Sequence, residues 1–352
     1  MRLIIYYKGG IYLVYQRRRY KSHSLLSHEA LFRRLKLGYR KNDKIVSEYL
    51  KERAGFYGEK NMDYQLALFP NQDFLHFPDL RLHNFSNYFQ IDSLIMTPKV
   101  FFILEAKHLK GIIEYNASSR QLIQMTDNLT TSYKDPILQA ETQKKHLSHW
   151  LKQHHIDIPI EPLVVSTNHS TIIRNQENDD IFKHSFVPLE NLLYKIDEIY
   201  KTYSKKILNT KELESMFKVL SQAHEPGMID LIKTYKIQDK HLLQGIFCEE
   251  CQKGYVTKRR YDWICSHCYH TMDNGHTRIL LDYFLLEEKF INNKVARNVL
   301  GIDSRDVVYR LLDSLKLKKT GVRKGRKYHA PFIWQFPQDA EPAFLQRSVF
   351  DY

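Results

Sequence analysis

The chain contains no apolar stretch long enough to cross a membrane. Its longest apolar runs, at 100–104 (VFFIL) and 279–281 (ILL), are far shorter than the roughly 20 residues that a membrane-spanning helix needs. The apolar start of the chain is interrupted by Lys8, is followed by three arginines at 17–19, and has no small-residue cleavage site, so it does not fit a signal peptide. The sequence therefore predicts a cytoplasmic protein without a membrane span.

The sequence also lacks internal repeats, low-complexity tracts and long Gly/Ser- or Pro-rich linkers. Of its 352 residues, 43% are hydrophobic and 26% are charged, an ordinary globular composition that excludes global disorder. A chain of this length is expected to form two or three domains. Shifts in composition place the boundaries, at 1–43 (a basic N-terminal arm), 44–188 (an α/β domain), 189–244 (a helical connector), 245–275 (a cysteine module), 276–332 (a basic helical module) and 333–352 (a tail).

Basic residues outnumber acidic residues in two segments. Residues 1–40 carry ten Lys or Arg against one acid, and residues 241–330 carry seventeen against ten, in a chain of net charge +13. Positive charge confined to two flanking segments favours a polyanion as partner, with nucleic acid the first candidate and an anionic membrane surface the second. Charge alone does not separate these partners from an ordinary solvated surface.

The central part of the chain alternates helical and strand patterns. Residues 44–57 have helical periodicity, and Gly55 and Gly58 indicate where that helix ends. Short apolar runs broken by proline and glycine then indicate strands, residues 136–153 return to helical spacing, and residues 160–166 are typical of a buried strand. The pattern predicts one mixed α/β domain.

The chain has only four cysteines, arranged as two C-x-x-C pairs with 13 residues between them. They are Cys248, Cys251, Cys265 and Cys268. Each pair can place two thiolates on one metal ion, and a loop of this length can complete a tetrahedral Zn²⁺ site with Zn–S bonds of about 2.3 Å. The alternating residues 253–264 fit the β-hairpin of a zinc ribbon. The sequence predicts a closed structural site, with His267 or His270 as alternative ligands.

Three helical segments follow the cysteine module, at 279–290, 294–300 and 305–315. Gly301 stops the second helix, and Asp303 and Ser304 offer N-terminal caps for the third, with Asp306 placed to complete a capping box from Asp303. The next segment, 316–329, is β-like and carries seven positive residues and no acid. This order indicates a helix-turn-helix followed by a wing.

A helix with an exposed Arg/Tyr face and a basic wing suits insertion into the major groove with flanking phosphate contacts. The side chains expected to contact DNA are Arg305, Tyr309, Arg310, Lys318, Lys319, Arg323, Lys324, Arg326 and Lys327. The alternative interpretation is a small helical packing module whose basic face is only solvated.

A pair of carboxylates is predicted on two apolar strands that flank a turn at Pro98 and Lys99. If that turn is a two-residue loop, Asp92 lies opposite Glu105 with Cβ atoms about 5 Å apart. Lys107 shares the face of Glu105 because strand side chains alternate. Such a face offers oxygen ligands for Mg²⁺ and an ammonium near an attacking water. Proline at the first turn position also fits a bulge or a longer loop, and a one-residue slip would separate the pair.

Four motifs follow one another in the central domain. They are Gly58-Glu59, Gln90-Ile91-Asp92, Glu105-Ala106-Lys107 with Gly111 following, and Asp135-Pro136-x-x-Gln139. In this order and at these distances they resemble the NERD (nuclease-related) domain of the PD-(D/E)XK nuclease-like superfamily, over about residues 50–170. The Pro-Asp of the superfamily name is Ile91-Asp92 here, and Asp135 replaces the usual asparagine before proline. The C-terminal modules look like extensions found on bacterial members.

The resemblance implies a restriction-endonuclease-like mixed sheet flanked by helices, to which the C-terminal segments are expected to add a small zinc ribbon and a winged-helix-like module. It implies that Asp92 and Glu105 bind Mg²⁺ or Mn²⁺, with the Ala106 carbonyl as a further ligand. Lys107 would then orient water or stabilise the pentacovalent phosphate.

The resemblance also assigns roles to two flanking helices. Glu59 would belong to the active site and would reach it from the helix that precedes the strands. Gln139 would touch the water or the phosphate, and Gln143, one turn later, is a weaker candidate.

The leading hypothesis is a DNA-processing nuclease that docks on DNA with its C-terminal modules. The alternative is a noncatalytic DNA-binding or regulatory protein that retains the nuclease fold. The two differ in whether a divalent ion binds at Asp92 and Glu105 and supports cleavage. RNA as substrate is a third alternative, less favoured because a helix-turn-helix suits duplex DNA. The oligomeric state is left open.

Overall fold

The computed structural model describes residues 3–7, 10–14, 18–68, 74–85, 87–127, 129–248, 250–251, 253–259, 262–272 and 274–338. Its helices are α1 (His23–Arg34), α2 (Asp43–Ala67), α3 (Pro136–Gln153), α4 (Asp180–Ser185), α5 (Leu192–Thr202), α6 (Thr210–Ala223), α7 (Leu231–Thr234), α8 (Gly275–Leu286), α9 (Asn293–Leu300) and α10 (Arg305–Ser314). Its strands are β1 (Leu3–Tyr7), β2 (Gly10–Val14), β3 (Leu75–Asn84), β4 (Asn87–Met96), β5 (Phe101–Lys107), β6 (Ile112–Asn116), β7 (Gln121–Thr126), β8 (Leu129–Lys134), β9 (Ile160–Ser166), β10 (Ile172–Arg174), β11 (Phe186–Pro188), β12 (Val256–Lys258), β13 (Trp263–Cys265), β14 (Thr271–Met272), β15 (Phe290–Ile291), β16 (Lys319–Thr320) and β17 (Lys327–His329).

The chain divides into two compact units, each assembled from two segments. The first unit is Met1–Arg19 with Arg53–Pro226, and the second is Tyr20–Glu52 with Gly227–Tyr352. Most of the expected tail, residues 339–352, lies outside the described residues.

A five-stranded mixed sheet forms the centre of the first unit, in the order β11-β9-β5-β4-β3. β5 pairs in parallel with β9 and antiparallel with β4. Side chains alternate along β5: Phe101 and Ile103 pack with α3 and α6, whereas Phe102 and Leu104 pack with Met62 of α2 and with α5. Burial on both faces explains why this strand is apolar without interruption. The expected mixed sheet flanked by helices is confirmed.

A smaller sheet in the same unit has the order β10-β6-β7-β8. Ile113, Tyr115 and Leu122 on its inner face pack against Ile137 of α3 and Phe182 of α4. The first turn of α3 is thereby held between this sheet and the five-stranded sheet, whose Val164 belongs to the same cluster.

In the second unit, α1 packs against α8. Leu31 of α1 is fully buried, Ser27 donates to the Leu285 carbonyl at 3.1 Å, and the Arg33 guanidinium pairs with the Asp282 carboxylate at 2.6 Å. This part of the basic N-terminal segment is therefore a packing helix.

Two three-stranded sheets complete the second unit, in the orders β12-β13-β14 and β15-β17-β16. Among the residues that the structure describes, no helix is both long and apolar enough to cross a bilayer.

Candidate active site and cysteine centre

The register of β4 and β5 brings Asp92 and Glu105 to one face of the sheet. All four backbone pairs of this ladder have residue numbers that add to 197, and one further step places Asp92 opposite Glu105. The turn is closed by the hydroxyl of Thr97, which donates to the Val100 carbonyl at 2.7 Å and accepts from the Val100 amide at 3.1 Å. The turn therefore holds the register that a two-residue loop at Pro98 and Lys99 predicted.

The carboxylate of Glu105 is the centre of a hydrogen-bonded group on that face. The residue is 3% exposed, and its Oε1 accepts from Lys107 Nζ and from Gln139 Nε2, both at 2.7 Å. Its Oε2 accepts from Gln143 Nε2 at 2.8 Å, and Lys107 also donates to Gln139 Oε1 at 3.2 Å. One ammonium and two amides thus converge on a buried carboxylate.

Helix α3 supplies both glutamines because Asp135 fixes its start. The Asp135 side chain accepts from two backbone amides of the first turn, at 2.9 and 3.3 Å, and a proline occupies the next position. Gln139 and Gln143 lie one turn apart on the same helix face. Both contact Glu105, although sequence reasoning ranked Gln143 lower. Within the described residues, Oε1 of Gln143 is buried without a hydrogen-bond partner, so an acceptor is left next to the carboxylate.

Asp92 lies beside this group, and its negative charge is disfavoured. Its Oδ2 accepts from the Ala106 amide at 2.9 Å. Burial, followed by the nearby carboxylates of Glu105 and Glu59, raises the pKa of Asp92 well above its usual range, while the Ala106 amide and Lys107 act in the opposite direction. A bound divalent cation would relieve this mutual repulsion of acids.

Glu59 comes to the site from α2, which differs from its predicted form. The prediction that this helix ends at Gly55 and Gly58 is wrong, because α2 continues through both. Gly58 serves a close approach instead: a Cβ at this position would lie 2.5 Å from Oγ1 of Thr167 and 2.7 Å from Cβ of His108. These two residues follow β9 and β5, so the missing side chain lets α2 pack onto the strand ends that carry the site.

Arg19 belongs to this cluster, and sequence reasoning missed it. Its guanidinium is 3% exposed and donates to Glu59, to both oxygens of Asp63 at 2.7 and 3.0 Å, to the Asp92 carbonyl at 2.8 Å and to the Ser93 hydroxyl at 2.9 Å. These partners are 40 to 74 positions away in the chain. No local signal distinguishes this arginine from its two arginine neighbours.

Burial of Glu59 affects its pKa more strongly than its ion pair with Arg19 does. Burial raises the pKa of Glu59 to about 7, and the acids Asp79, Asp63 and Glu105 add to the effect, although Arg19 lowers it. The folded protein without a divalent ion therefore holds a proton at Glu59 more tightly than the unfolded chain does.

We expect the protein, kept free of added divalent ions, to lose stability as pH rises from about 4.5 to about 7. The raised pKa of Glu59 means that the folded state gives up this proton later than the unfolded chain, so ionisation in this range disfavours folding. Thermal denaturation at pH 5 and pH 8 measures the effect as a shift of a few degrees. In Glu59→Gln the shift should shrink, and an unchanged difference between the two pH values would contradict this assignment.

The chemistry of the donor set fits a hard divalent cation such as Mg²⁺ or Mn²⁺, because Asp92, Glu105 and Glu59 all offer carboxylate oxygens. In the structure these oxygens are held by N–H donors, not gathered around one point. Across the described part of the chain, only the four cysteines form a group of His, Cys, Asp or Glu whose ligand atoms already meet. A divalent ion that binds here would therefore replace some of the N–H donors that now contact the oxygens of Glu105.

The four cysteine sulfurs are arranged as ligands for a single metal ion. Sγ of Cys248 lies 3.8 Å from Sγ of Cys268, Sγ of Cys251 lies 3.6 Å from Sγ of Cys265, and all four lie within 4.8 Å of one another. A tetrahedron with metal–sulfur bonds of about 2.3 Å has edges of about 3.8 Å. The observed spacing matches that geometry and is too long for disulfides, whose S–S bonds are about 2.05 Å.

The expected hairpin connects the two cysteine pairs as β12 and β13. A Cβ at Gly254 would lie 2.7 Å from Sγ of Cys265, so the hairpin can approach the sulfur only without a side chain there. The amides of His267 and Cys268 point at the same sulfur at 3.3 and 3.5 Å. His267 and His270 are exposed, and within the described residues they are not part of the group. This arrangement is consistent with a zinc ribbon.

In the C-terminal module, α9 and α10 are joined by a turn at Gly301, whose φ is +65°. The cap of α10 is Ser304, which accepts from the Val307 amide at 3.4 Å. The capping box expected from Asp303 to Asp306 is wrong, because the chain enters the helix one residue later.

The side chains predicted to contact DNA lie on α10 and on the β16–β17 hairpin. They are Arg305, Tyr309, Arg310, Lys318, Lys319, Arg323, Lys324, Arg326 and Lys327, all exposed except the half-buried Arg326. Arg326 donates to the Tyr309 hydroxyl at 3.3 Å and links the hairpin to the helix. Lys319 pairs with Asp313, which partly neutralises one of the cations.

Comparison with protein families places a known domain in the central part of the chain. Residues 54–167 match the family model of the nuclease-related domain, NERD. Comparisons with curated proteins and with solved structures gave no match. The matched range includes Asp92, Glu105 and Lys107, and it excludes Arg19. The family resemblance inferred from the motifs is thereby confirmed, and the chain carries a nuclease-related domain.

Proposed function

We propose that this protein is a nuclease dependent on Mg²⁺ or Mn²⁺ that hydrolyses phosphodiester bonds in DNA. The proposal rests on one arrangement: Asp92 opposite Glu105, with Lys107 and Gln139 both hydrogen-bonded to Glu105. The range that matches the nuclease-related domain contains all four residues.

Asp92 and Glu105 would hold the ion, with the Ala106 carbonyl as a further ligand and Glu59 contributing from α2. When bound, the ion supplies Lewis-acid activation of the phosphate and makes water a stronger nucleophile. Lys107 has its Nζ 2.7 Å from Glu105 Oε1, on the face where the phosphate would lie. Its ammonium would orient the attacking water or stabilise the negative charge that develops on the phosphate oxygens.

Two further side chains would set the positions of these groups. Gln139 can donate to a phosphate oxygen or a water while its partner Gln143 holds the other oxygen of Glu105. Arg19 acts as a positioning residue, because it holds Glu59 and Asp63 together and supplies the positive charge that lets two acids share a half-buried position.

The second unit would hold DNA. Two helices joined by a glycine turn and followed by a basic hairpin support this part of the proposal. In a winged helix of this kind, the second of these helices would enter the major groove and the hairpin would contact phosphates. The four cysteines would bind a structural Zn²⁺, with no role in catalysis because all four positions are filled by protein sulfurs.

Lys318→Ala and Lys324→Ala, both in the basic hairpin segment, are each expected to weaken binding of the full protein to duplex DNA about equally for all sequences. Each loss of a phosphate contact should reduce the slope of log K against log salt by about 1. Fluorescence anisotropy between 50 and about 200 mM salt measures the slope. Lys183→Ala, at an exposed lysine of α4, is the matched control. Slopes equal to wild type in both variants would exclude this surface as the docking site.

The proposal is tested by incubating the purified protein with supercoiled and linear DNA, with Mg²⁺, with Mn²⁺, or in resin-treated buffer that leaves tightly bound zinc in place. Cleavage only with added ion supports a metal-dependent nuclease. Competition by matched RNA and DNA duplexes decides the class of nucleic acid.

One observation favours the second candidate, a noncatalytic DNA-binding protein. Every carboxylate oxygen of Glu105 already has an N–H donor, and Glu59 is paired with Arg19, so the site is satisfied without an ion. Binding of DNA without cleavage under any ion condition would establish that alternative.

A further inference from the structure

A cleft of about 620 Å³ opens beside the candidate active site in the first unit. It lies between the turn that joins β6 and β7, the end of β8 and the first turns of α3. Gln139 is part of its wall, and the same side chain contacts both Glu105 and Lys107. The cleft therefore borders, through Gln139, the group that would act on the phosphate.

The charge in this cleft is suited to a polyanion. Arg120 and Lys134 line it, and both are exposed. Its one acid, Asp135, is buried, caps α3 and pairs with Arg120 at 3.4 Å. The acid is thus engaged by the protein, while Lys134 is left to meet a phosphate from solvent.

The cleft also offers apolar surface that a base could cover. Tyr133 is 39% exposed and Leu138 is 48% exposed, and both line the cleft. The Tyr133 hydroxyl donates to Gln124 at 2.9 Å, which restrains the ring. Exposed aromatic rings flanked by cations are the common device for binding single strands without sequence preference.

We propose that this cleft binds one or two unpaired nucleotides of the substrate strand, next to the phosphate that is cleaved. The inference rests on the proposed nuclease function of the neighbouring residues. A volume of about 620 Å³ lies within the range of about 300–1,000 Å³ for pockets that enclose small ligands, which suits a nucleotide or two. Stacking on Tyr133 needs an unpaired base, so the protein prefers substrates with single-stranded ends, loops or flaps.

The experiment is photo-cross-linking of the full protein to a single-stranded oligonucleotide that carries 5-iododeoxyuridine, without added divalent ion. Trypsin releases residues 121–134 as one peptide, which contains Tyr133 and separates this cleft from the C-terminal module. We expect the cross-link in this peptide. Tyr133→Ala should lower its yield about tenfold because one stacked base is lost, whereas Tyr133→Phe should keep it. Tyr194→Ala, at a tyrosine of α5 that is 83% exposed, is the matched control.

Cleavage kinetics provide an independent readout. Tyr133→Ala and Lys134→Ala should raise KM for a single-stranded substrate about tenfold with little change in kcat, because they remove binding outside the reacting group. A cross-link in peptide 121–134 without any cleavage would support the cleft and count against the nuclease. Cleavage with wild-type KM in Tyr133→Ala, or cross-links only in other peptides, would overturn the inference and leave the proposed function standing.

Discussion

Glu105→Gln is expected to reduce metal-dependent DNA cleavage by about 10²–10³-fold. The substitution removes the charge of the buried carboxylate at the centre of the site and keeps its size and one oxygen acceptor for the surrounding donors. It also removes one of the carboxylates that raise the pKa of Asp92, so the ion loses both a ligand and part of the repulsion that it relieves. Initial rates of plasmid nicking across a range of Mg²⁺ concentrations measure the change.

Two further variants make this result specific. Lys107→Ala should also slow cleavage. Mg²⁺ should still raise its Tm, as we expect for any ligand that binds only the folded state, because an ammonium is not an ion ligand. Glu141→Gln, at a partly exposed acid of α3, is the matched control and should cleave as the wild type does. Full activity of Glu105→Gln would show that Glu105 does not bind the ion on which cleavage depends.

Cys265→Ser is expected to abolish zinc binding and to unfold the β12–β14 sheet. Cys265 is buried, two backbone amides point at its sulfur, and its neighbour in the sulfur group lies 3.6 Å away. Structural zinc contributes about 10–16 kcal/mol of binding free energy in small zinc domains, and a hairpin of three-residue strands has little other stabilisation. Metal analysis of the purified protein and thermal denaturation measure the loss.

The sequence allowed two sets of zinc ligands: four cysteines, or a set in which His267 or His270 replaces a cysteine. The variants His267→Ala and His270→Ala distinguish these two sets. Both imidazoles are exposed, and both variants should keep a full zinc content. A zinc content that falls in a histidine variant and persists in Cys265→Ser would reverse the assignment. DNA binding by Cys265→Ser should fall as well, since the ribbon and the basic helices belong to one compact unit.

The sequence contained enough information to predict the strand pair that carries the candidate site. A two-residue turn at Pro98 and Lys99 leaves one register, in which Asp92 meets Glu105, and the alternation of side chains along a strand then places Lys107 on the face of Glu105. The spacing of Asp135 and Gln139 likewise follows from local rules, because a capped helix start determines the face that the next turns present.

Other features depend on distant partners and could not be predicted from local patterns. In the sequence, Gly58 is typical of a residue that ends a helix. Only the packing of α2 against Thr167 and His108 shows that the glycine is needed because these residues lie close to the helix backbone. Arg19 gives no signal of its own because its acceptors lie on α2 and β4. The sequence left both Asp303 and Ser304 as caps of α10, and the capping box assigned to Asp303 was wrong because two adjacent residues could each begin the helix.

The buried position of Arg19 sets a limit on how the nuclease-related domain can be excised. A fragment trimmed to residues 54–167 would keep Glu59 and Asp63 but would discard the cation that holds them. It would also lose α5 and α6, which cover opposite faces of the main sheet. The matched range is therefore shorter than the compact unit that surrounds the site, which includes Arg19 on one side and extends past α6 on the other.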